Sequence, residues 1–462
     1  MTYDYILLDT GSSVPLYQQL YLAVKNAIEA GHLAKGEKLP SIRKLAGDLK
    51  LSCTTVEAAY QQLCVEGYLT ARPQRGYFVL SAPKSEALPL RPAAIRRPEQ
   101  AQKIRYNFGS DCVDTSYIDL KIWQRHIREV LNRQEIIASY GDHQGEWELR
   151  EALSAYSYGA RGVIASPEQI VIGAGTQPLL SILCGLLRGA DERIALEEPG
   201  FLQAEQIFSD CGLQVLRLPA DDSGIRMDAL RESGVKQVFV SPSNRIQTGT
   251  GIPVSRRYEL LDWARETGGI LVEDDYNGEL RYNARPIPAM QGMDRAQTVV
   301  YIGSFSKLLL PSVRIGYMVL PERLLELYQT RVARYNQTAS KTEQLALSRY
   351  IREGQLERQL RRLRKRYAAK SSALIQALKN AFGSHTEILL QETPLCVNLR
   401  LHTSLPGSTL CEIAARNGVR VMPEKGVSSG VVLGFAGIPL NDIEPAVQRL
   451  KEAWGDVVSR NH

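Results

Sequence analysis

The sequence predicts an α/β protein in which a small helical N-terminal domain precedes a larger domain built on a mostly parallel sheet. Residues 15–67 contain three segments with the apolar spacing of short helices. Residues 81–103 contain four prolines and no glycine or aromatic residue, which is typical of an extended linker. From about Ile104 onward, strand-like and helical segments alternate, and this alternation predicts a parallel sheet covered on both faces.

The composition is that of a soluble globular protein, with 462 residues, 44% hydrophobic and 23% charged. No apolar run is long enough to span a bilayer, and the first residues lack the layout of a signal peptide, so we expect a cytoplasmic protein. The seven cysteines include no Cys-x-x-Cys pair and the six histidines have no ligand spacing, so we predict no disulfide framework and no metal site. The net charge of +6 permits a nucleic-acid partner without indicating one.

The N-terminal domain has the element order of a winged helix-turn-helix. Gly31 and Gly67 suit helix ends, and Ser41 suits an N-cap. The predicted helices and strands are residues 15–31, 41–49 and 53–66, followed by 68–72 and 77–80.

Four short motifs in this domain resemble the GntR family: Leu39–Ala46, Thr55-Val56, Ala59-Tyr60 and Glu66–Leu69. The resemblance implies double-stranded DNA as a partner. The residues that it assigns to DNA contact are Ser41, Arg43 and Lys44 at phosphates, Ser52, Thr54 and Thr55 at the recognition helix, and Arg75 and Gly76 at the wing tip. Cys53 replaces an arginine that is common in the family. Because residues 1–80 carry only 8 − 7 = +1 net charge, a winged helix used for protein contacts is the alternative.

The predicted strands of the larger domain are residues 169–172, 193–196, 214–218, 237–240, 270–273, 299–302 and 315–320. Ligands of such sheets bind at the carboxyl ends of the strands. Lys307 follows one strand directly, after Ser304 and Ser306, and Arg314 precedes the next strand. A lysine facing a cleft between two buried strands suits a Schiff-base lysine, which must be partly desolvated to be a usable amine.

Two further strand ends carry complementary groups. Asp274 follows the strand 270–273 and suits a protonated pyridine nitrogen, and Tyr276 suits the ring hydroxyl. After the strand 169–172, the chain turns through Gly175 into a helix that begins at Thr176 and Gln177. Backbone N–H groups and the helix dipole at this turn suit a phosphate.

Together these segments resemble the pyridoxal phosphate (PLP) site of fold-type I aminotransferases. The sequences Glu273–Tyr276 and Ser304–Lys307 most resemble the MocR family, regulators that fuse a GntR-type winged helix to an aminotransferase-like domain. The resemblance implies PLP as cofactor, a homodimer, a linker at 81–103, an effector domain at 104–462 and a small subdomain from about residue 325. It adds to the cofactor pocket Ser304, Ser306, Arg314, Phe201 over the pyridine face, and Asn244.

The leading interpretation is a transcription regulator that senses PLP, and thereby vitamin B6 status. The alternatives are a regulator that senses an amine or amino acid through a new Schiff base, and an active aminotransferase. Aminotransferases hold the substrate carboxylate with arginine. Here Gln203 stands at one such position, and Lys425 is the only basic residue between Arg420 and Arg449. We therefore predict no catalytic residues, although Arg245 offers a substitute carboxylate contact.

One basic cluster has two interpretations. Six cations lie on one predicted helix: Arg358, Arg361, Arg362, Arg364, Lys365 and Arg366. A solvated helix face explains them, and an auxiliary DNA contact is the alternative.

Overall fold

The structure is a computed structural model, and it describes residues 3, 5–9, 11–80, 104–109, 112–115, 118–189, 191–243, 245, 251–282, 287–389, 395–424 and 427–459. The chain divides into two compact units, Met1–Glu99 and Gln100–His462. The predicted linker 81–103 lies outside the described residues, as do Asn244 and Lys425. Their predicted roles stay predictions.

The first unit is a winged helix, as predicted. Its elements are α1 (Leu16–Glu29), α2 (Ile42–Leu49), α3 (Cys53–Val65), β1 (Leu69–Arg72) and β2 (Gly76–Val79). The strands form an antiparallel hairpin with Arg72 opposite Gly76. Leu20 and Val24 of α1 pack with Val56, Tyr60 and Leu63 of α3, and all five are fully buried. This core explains why the apolar spacing of α1 and α3 was readable from the sequence.

The second unit alternates strands and helices and then becomes mixed. Its helices are α4 (Leu120–Leu131), α5 (Gln134–Ile137), α6 (Trp147–Arg161), α7 (Thr176–Leu187), α8 (Leu202–Asp210), α9 (Met227–Glu232), α10 (Val254–Thr267), α11 (Met290–Met293), α12 (Glu322–Gln329), α13 (Lys341–Arg352), α14 (Gln355–Phe382), α15 (Gly407–Arg416) and α16 (Ile443–Ser459). Its strands are β3 (Tyr106–Asn107), β4 (Ile170–Gly173), β5 (Arg193–Glu198), β6 (Gln214–Asp221), β7 (Gly224–Ile225), β8 (Gln237–Val240), β9 (Ile270–Asp274), β10 (Val299–Ser304), β11 (Gly316–Val319), β12 (Thr386–Leu389), β13 (Cys396–Leu401), β14 (Val419–Arg420), β15 (Met422–Pro423) and β16 (Gly430–Gly434).

The main sheet has eight strands in the order β4-β11-β10-β9-β8-β5-β6-β7. It is mostly parallel, as predicted, but β11 runs antiparallel to both β10 and β4, and β7 runs antiparallel to β6. The reversal of β11 matters for the site. It brings the amino end of β11, which follows Arg314, to the same edge of the sheet as the carboxyl ends of β4 and β10.

Both faces of the main sheet are covered. Along β9, Val272 packs into the apolar cluster that contains α7 and α8, whereas Leu271 packs into the cluster that contains α9 and α10. This alternation places consecutive strand residues on opposite faces. The strands therefore read as nearly continuous apolar runs in the sequence.

A smaller antiparallel sheet, in the order β12-β13-β16-β15, forms the later part of the unit. Val397, Leu399 and Leu401 of β13 point into its core with α14 and α16. β3, near the start of the unit, pairs in parallel with β14. Within the described ranges, no helix combines the length and the apolar character needed to cross a membrane.

Candidate functional site

Three strands meet at the edge of the main sheet where the predicted cofactor residues lie. Gly316, the first residue of β11, lies opposite Gly173 at the end of β4 and opposite Ser304 at the end of β10. A Cβ on Gly316 would stand 3.2 Å from the Cα of Gly175. This register places the turn after β4 beside the segment that leads from Ser304 to Lys307.

The turn after β4 leaves its helix uncapped. Gly175 is the N-cap of α7, with φ 90° and ψ −173°, and no side chain within the described ranges accepts a hydrogen bond from the first turn. This conformation is nearly exclusive to glycine. The N–H groups of Thr176 and Gln177 have no acceptor within an α-helix, and Pro178 has no N–H at all. Two parallel donors at the positive end of a helix dipole form a ready anion site.

Arg314 closes this turn from the side of β11. A Cβ on Gly175 would stand 2.8 Å from the guanidinium, so any larger residue would force Arg314 to shift. Arg314 Nη2 also lies 3.4 Å from the carbonyl oxygen of Ala174. On the other side, the hydroxyls of Ser304 and Ser306 lie 3.3 Å apart. Together, these groups form a cup of the size and charge that a phosphate needs.

Lys307 is half-buried, and its amine points toward two segments distant in the sequence. Its Nζ donates a hydrogen bond of 3.3 Å to the carbonyl oxygen of Cys112. The thiol of Cys396, at the start of β13, lies close enough for the lysine charge to act on it. Burial raises the pKa of that thiol to about 12, and the lysine charge opposes the shift. The sequence signalled neither neighbour, because nothing local links positions 112 and 396 to 307.

Asp274, the last residue of β9, is 7% exposed. Burial, together with the neighbouring charges of Asp275 and Glu273, raises the pKa of its carboxyl group to about 7. Glu273 accepts hydrogen bonds from the backbone of Met290 and Gln291, whereas no described residue donates one to Asp274. A buried carboxyl group without a donor suits a ligand that brings its own N–H.

Asp275 shows the opposite behaviour. Its carboxylate pairs with Arg161 at 2.5 Å and accepts a hydrogen bond from the hydroxyl of Tyr301 at 2.8 Å. Burial alone would raise the pKa of Asp275, but the charge and hydrogen bond of Arg161 hold it below its ordinary value. Sequence reasoning missed this pair, because 114 residues separate its members.

The remaining predicted cofactor residues lie near this edge. Phe201 follows β5 and stacks on Phe239, with ring centroids 6.4 Å apart. Tyr276 follows β9 by two residues and is 40% exposed. The roles of Phe201 over the pyridine ring and of Tyr276 at the ring hydroxyl stay predictions.

Arg245 does not offer the carboxylate contact suggested by its place in the sequence. Its guanidinium is 2% exposed, donates to Glu197 at 2.8 Å and also donates to the carbonyl oxygens of Asp221 and Asp222. These partners belong to β5, to β6 and to the residue that follows β6. Arg245 therefore holds its loop to β5 and β6.

The small sheet contributes one arginine that the sequence analysis did not consider. Arg400 lies on the same face of β13 as Cys396, four residues further along the strand. Its guanidinium pairs with Glu424 at 3.2 Å and with Glu387 at 3.8 Å. Gln203 is an exposed residue of α8. The guanidinium of Arg400 already has two carboxylate partners within the protein, and Gln203 has no guanidinium to offer a ligand.

The structure therefore fits PLP on two observations. The uncapped turn at Gly175 with Arg314 has the donors for a phosphate, and the buried carboxyl group of Asp274 receives no hydrogen bond from any residue that the structure describes. Lys307 would supply the amine, and Asp274 would hold the ring nitrogen.

In the winged helix, the predicted DNA residues lie on helix N-termini and on the hairpin. Ser41 caps α2 by accepting from the N–H of Lys44 at 3.3 Å, and Ser52 caps α3 by accepting from the N–H of Thr55 at 3.1 Å. The hydroxyls of Thr54 and Thr55 lie 2.7 and 2.8 Å from that of Ser52. Arg43, Lys44 and Arg75 are exposed, and Gly76 has φ 97° at the wing turn.

Comparison with known proteins gives a family for each unit. Residues 16–79 match the model of bacterial regulatory proteins of the gntR family, and residues 109–450 match aminotransferase class I and II. The chain is 36% identical to the helix-turn-helix transcriptional regulator YdeL of Bacillus subtilis, over 96% of this chain and 97% of that protein.

Two further relatives also span nearly the whole chain. The probable rhizopine catabolism regulatory protein MocR of Rhizobium meliloti is 29% identical, over 97% of this chain and 96% of the relative. The pyridoxine biosynthesis transcriptional regulator PdxR of Corynebacterium glutamicum is 28% identical, over 92% of each.

Among solved structures, the kynurenine aminotransferase of Pyrococcus horikoshii, in complex with PMP, superposes with a TM-score of 0.67 and 25% identity. The match covers 77% of this chain and 91% of the aminotransferase chain. The second unit thus has the fold of a fold-type I aminotransferase.

Proposed function

Because the chain belongs to the MocR family of transcription regulators, in which a GntR-type DNA-binding domain precedes an aminotransferase-like domain, we propose that it binds PLP and regulates transcription according to PLP supply. The winged helix binds operator DNA, and the aminotransferase-like unit is the sensor of vitamin B6 status. The relative named for pyridoxine biosynthesis supports this choice. A homodimer in the cytoplasm belongs to the same proposal.

One contrast supports PLP as the signal. The edge of the main sheet retains unsatisfied groups for the cofactor, at the uncapped turn of α7 and at Asp274. In contrast, Arg245 and Arg400 both have carboxylate partners within the protein. An amino-acid carboxylate would therefore have to break an existing ion pair, whereas the phosphate and ring nitrogen of PLP find open positions.

PLP supplies an aldehyde and a pyridine ring that accepts electrons. Each protein group has a binding role. Lys307 provides the amine that holds the aldehyde carbon, Asp274 keeps a proton at the ring nitrogen, and Arg314 with the α7 turn holds the phosphate. Phe201 covers the ring. Because Arg245 and Arg400 already have carboxylate partners in the described part of the chain, we expect little aminotransferase turnover, since orientation supplies much of catalysis.

The hydrogen bond from Lys307 to Cys112 offers a route for the signal. Cys112 lies in the segment that follows the predicted linker, and two residues later Asp114 pairs with Lys370 of α14 at 2.5 Å. If PLP engaged the Lys307 amine, that amine would have fewer N–H groups to donate, and its hydrogen bond to Cys112, in the segment that follows the predicted linker in the sequence, would be lost or weakened.

The decisive experiment is a mobility-shift assay on the DNA upstream of the gene, with the apo-protein, with PLP, and with PLP plus single amino acids. PLP alone is expected to change affinity or footprint. Lys307→Ala should lose the borohydride-reducible adduct and the response to PLP, while Lys379→Ala, an exposed lysine of α14, should keep both.

Two results would reject the proposal. Apo and PLP-bound forms with identical DNA binding, together with a shift on addition of an amino acid, would favour the amine sensor. Turnover of an amino acid and keto acid pair at ordinary enzyme rates would favour an active aminotransferase.

A further inference from the structure

α14 carries a row of cations on its exposed side. Arg358, Arg361, Arg362 and Lys365 are exposed, and their positions fall within about 100° of one another at 100° per residue. The opposite side of the helix is buried through Leu356, Leu360, Leu363 and Tyr367. We call the four cations the α14 basic stripe. Because the buried side anchors the helix, the stripe is held outward.

These four cations have no acidic partners. No described residue forms an ion pair with any of them, and Glu357 is the single acidic residue between Gln355 and Phe382. In the neighbouring helix α13, Arg349 pairs with Glu129, and Arg352 with Glu151. A face evolved only for solvation commonly interleaves charges of both signs. The stripe instead accumulates one sign.

The spacing suits a polyphosphate. Seven residues of α-helix span about 10 Å, and double-stranded DNA carries about six charges over that length. Arginine, which forms three of the four positions, binds phosphate oxygens in a bidentate manner. A small protein or metabolite would present far fewer anions over the same distance.

A groove beside the stripe adds room for a ligand. It has a volume of about 390 Å³ and lies between α6 and α14, with Glu357, Arg361 and Arg364 on one wall and the small residues Ala155 and Gly159 on the other. Tyr156 also lines it. This side chain is 4% exposed, and its hydroxyl has no hydrogen-bond partner among the described residues. The groove therefore places two guanidinium groups and one carboxylate next to the stripe.

We propose that the α14 basic stripe is a second DNA-binding surface, which contacts the phosphate backbone beyond the site read by the winged helix. This rests on the proposed DNA-binding function and extends it to the aminotransferase-like unit. Contacts to phosphates alone are independent of sequence. The stripe therefore contributes affinity and salt dependence, and the winged helix contributes sequence preference.

The test compares two quadruple variants of the full-length protein. One removes the stripe: R358Q, R361Q, R362Q and K365Q. The control removes four exposed cations that are dispersed over the unit: R295Q, R323Q, K379Q and K451Q. Both lose the same charge. Binding is measured as a function of salt on upstream duplexes of about 20 bp, two helical turns, and about 60 bp, six turns.

On the long duplex, the stripe variant should lose at least tenfold in affinity, and its salt slope should fall by about 3 to 4, since each phosphate contact contributes about 0.9. On the short duplex, it should match the wild type. The control should stay within about twofold on both. Circular dichroism checks that the quadruple variant is folded. The double variant R358Q/R362Q is a second control for misfolding, because it should show about half of the change in salt slope.

Three outcomes would overturn the inference. The stripe variant keeps the salt slope of the wild type on the long duplex, or the control variant loses as much affinity for that duplex as the stripe variant does. In the third outcome, the stripe variant binds DNA like the wild type and loses affinity only for anionic vesicles or for an acidic protein. Arg43→Ala separates the two proposals. This variant should bind both duplexes more weakly than the wild type. If it does not, the winged helix is not the DNA-binding surface, and this result is recognised independently of the stripe.

Discussion

The N-termini of α3 and α7 both belong to surfaces assigned to phosphate-bearing ligands, but they are completed differently. α3 begins at Ser52, whose hydroxyl accepts the N–H of Thr55. α7 begins at Gly175, which has no side chain, and its first N–H groups have no side-chain acceptor. One helix end is finished by its own sequence, whereas the other is left for a ligand. The difference predicts that α3 is stable alone and that PLP binding completes α7.

The strongest way to break this contrast is Gly175→Ala. A Cβ in this backbone conformation is strained by about 1–3 kcal/mol, and it would displace Arg314 from its place 2.8 Å away. Because a charged hydrogen bond adds roughly 1.5–3 kcal/mol, PLP affinity should fall by about 100-fold or more. Equilibrium titration of PLP absorbance measures this.

Gly268→Ala is the matched control for Gly175→Ala. Gly268 also has positive φ, but a Cβ there meets nothing within 4 Å. Its PLP affinity should equal that of the wild type. Equal losses in the two variants would mean that backbone strain alone, rather than the phosphate cup, explains the result.

A second test concerns Asp274. No described residue donates a hydrogen bond to its carboxyl group, just as no described side chain accepts one from the first turn of α7. Asp274→Asn should weaken PLP binding about tenfold or more, because one pKa unit is worth about 1.4 kcal/mol. The raised pKa means that the folded apo-protein holds the proton more tightly than the unfolded chain. Its contribution to stability is therefore present near pH 4 and is lost as pH rises to about 7.

Apo Asp274→Asn should consequently unfold at a higher temperature than the wild type at pH 8, with a weaker dependence on pH between 4 and 7. Asp275→Asn is the contrasting control. The lowered pKa of Asp275 stabilises the fold at pH values above the pKa of this group in the unfolded chain. The substitution removes that contribution and leaves Arg161 buried without its carboxylate partner, so this variant should be destabilised at pH 8. Thermal melts at several pH values distinguish the two signs.

How far the sequence predicts this site depends on how local each signal is. Ser52, Gly175, Asp274 and Lys307 lie at helix or strand ends that short segments specify, and the structure places them at such ends. The antiparallel direction of β11 was not predicted. Local apolar patterning is the same for both strand directions, and only pairing with β4, some 140 residues earlier, determines it.

Partners across long sequence separations were also missed. Arg161 with Asp275, and Lys307 with Cys112, are joined only by the fold. Arg245 shows the converse error. Its unusual place in a loop suggested a ligand contact, but the fold buries it against Glu197. The sequence shows which residues are charged, but it does not show which residue of opposite charge each of them contacts in the fold.

A third test concerns the DNA that α2 and α3 are proposed to contact. Arg43→Ala should weaken binding to all duplexes and lower the magnitude of the salt slope by about 1. Thr55→Ala should instead reduce the preference for the operator over unrelated DNA by about 1–3 kcal/mol per base pair contacted. Competition titrations measure both. Unchanged affinity in both variants would remove this surface from DNA binding.

The smallest effect is expected at the cap itself. Ser52→Ala should cost the winged helix about 1 kcal/mol, the usual worth of an N-cap side chain. PLP affinity should not change. Thr54→Ala, whose hydroxyl contacts the Ser52 hydroxyl, should cost less. A shift of PLP affinity in Ser52→Ala would contradict the separation of the two helix ends.

The cup at Gly175 and Arg314 also has a consequence for biosynthesis. Its two halves lie just after β4 and just before β11, so the cup cannot form until the ribosome has made the chain beyond residue 319. The winged helix is complete by residue 79. At about 5–20 residues per second, roughly 240 residues correspond to about 10–50 s. During that interval, and in any fragment truncated within it, the winged helix exists without the proposed cofactor site.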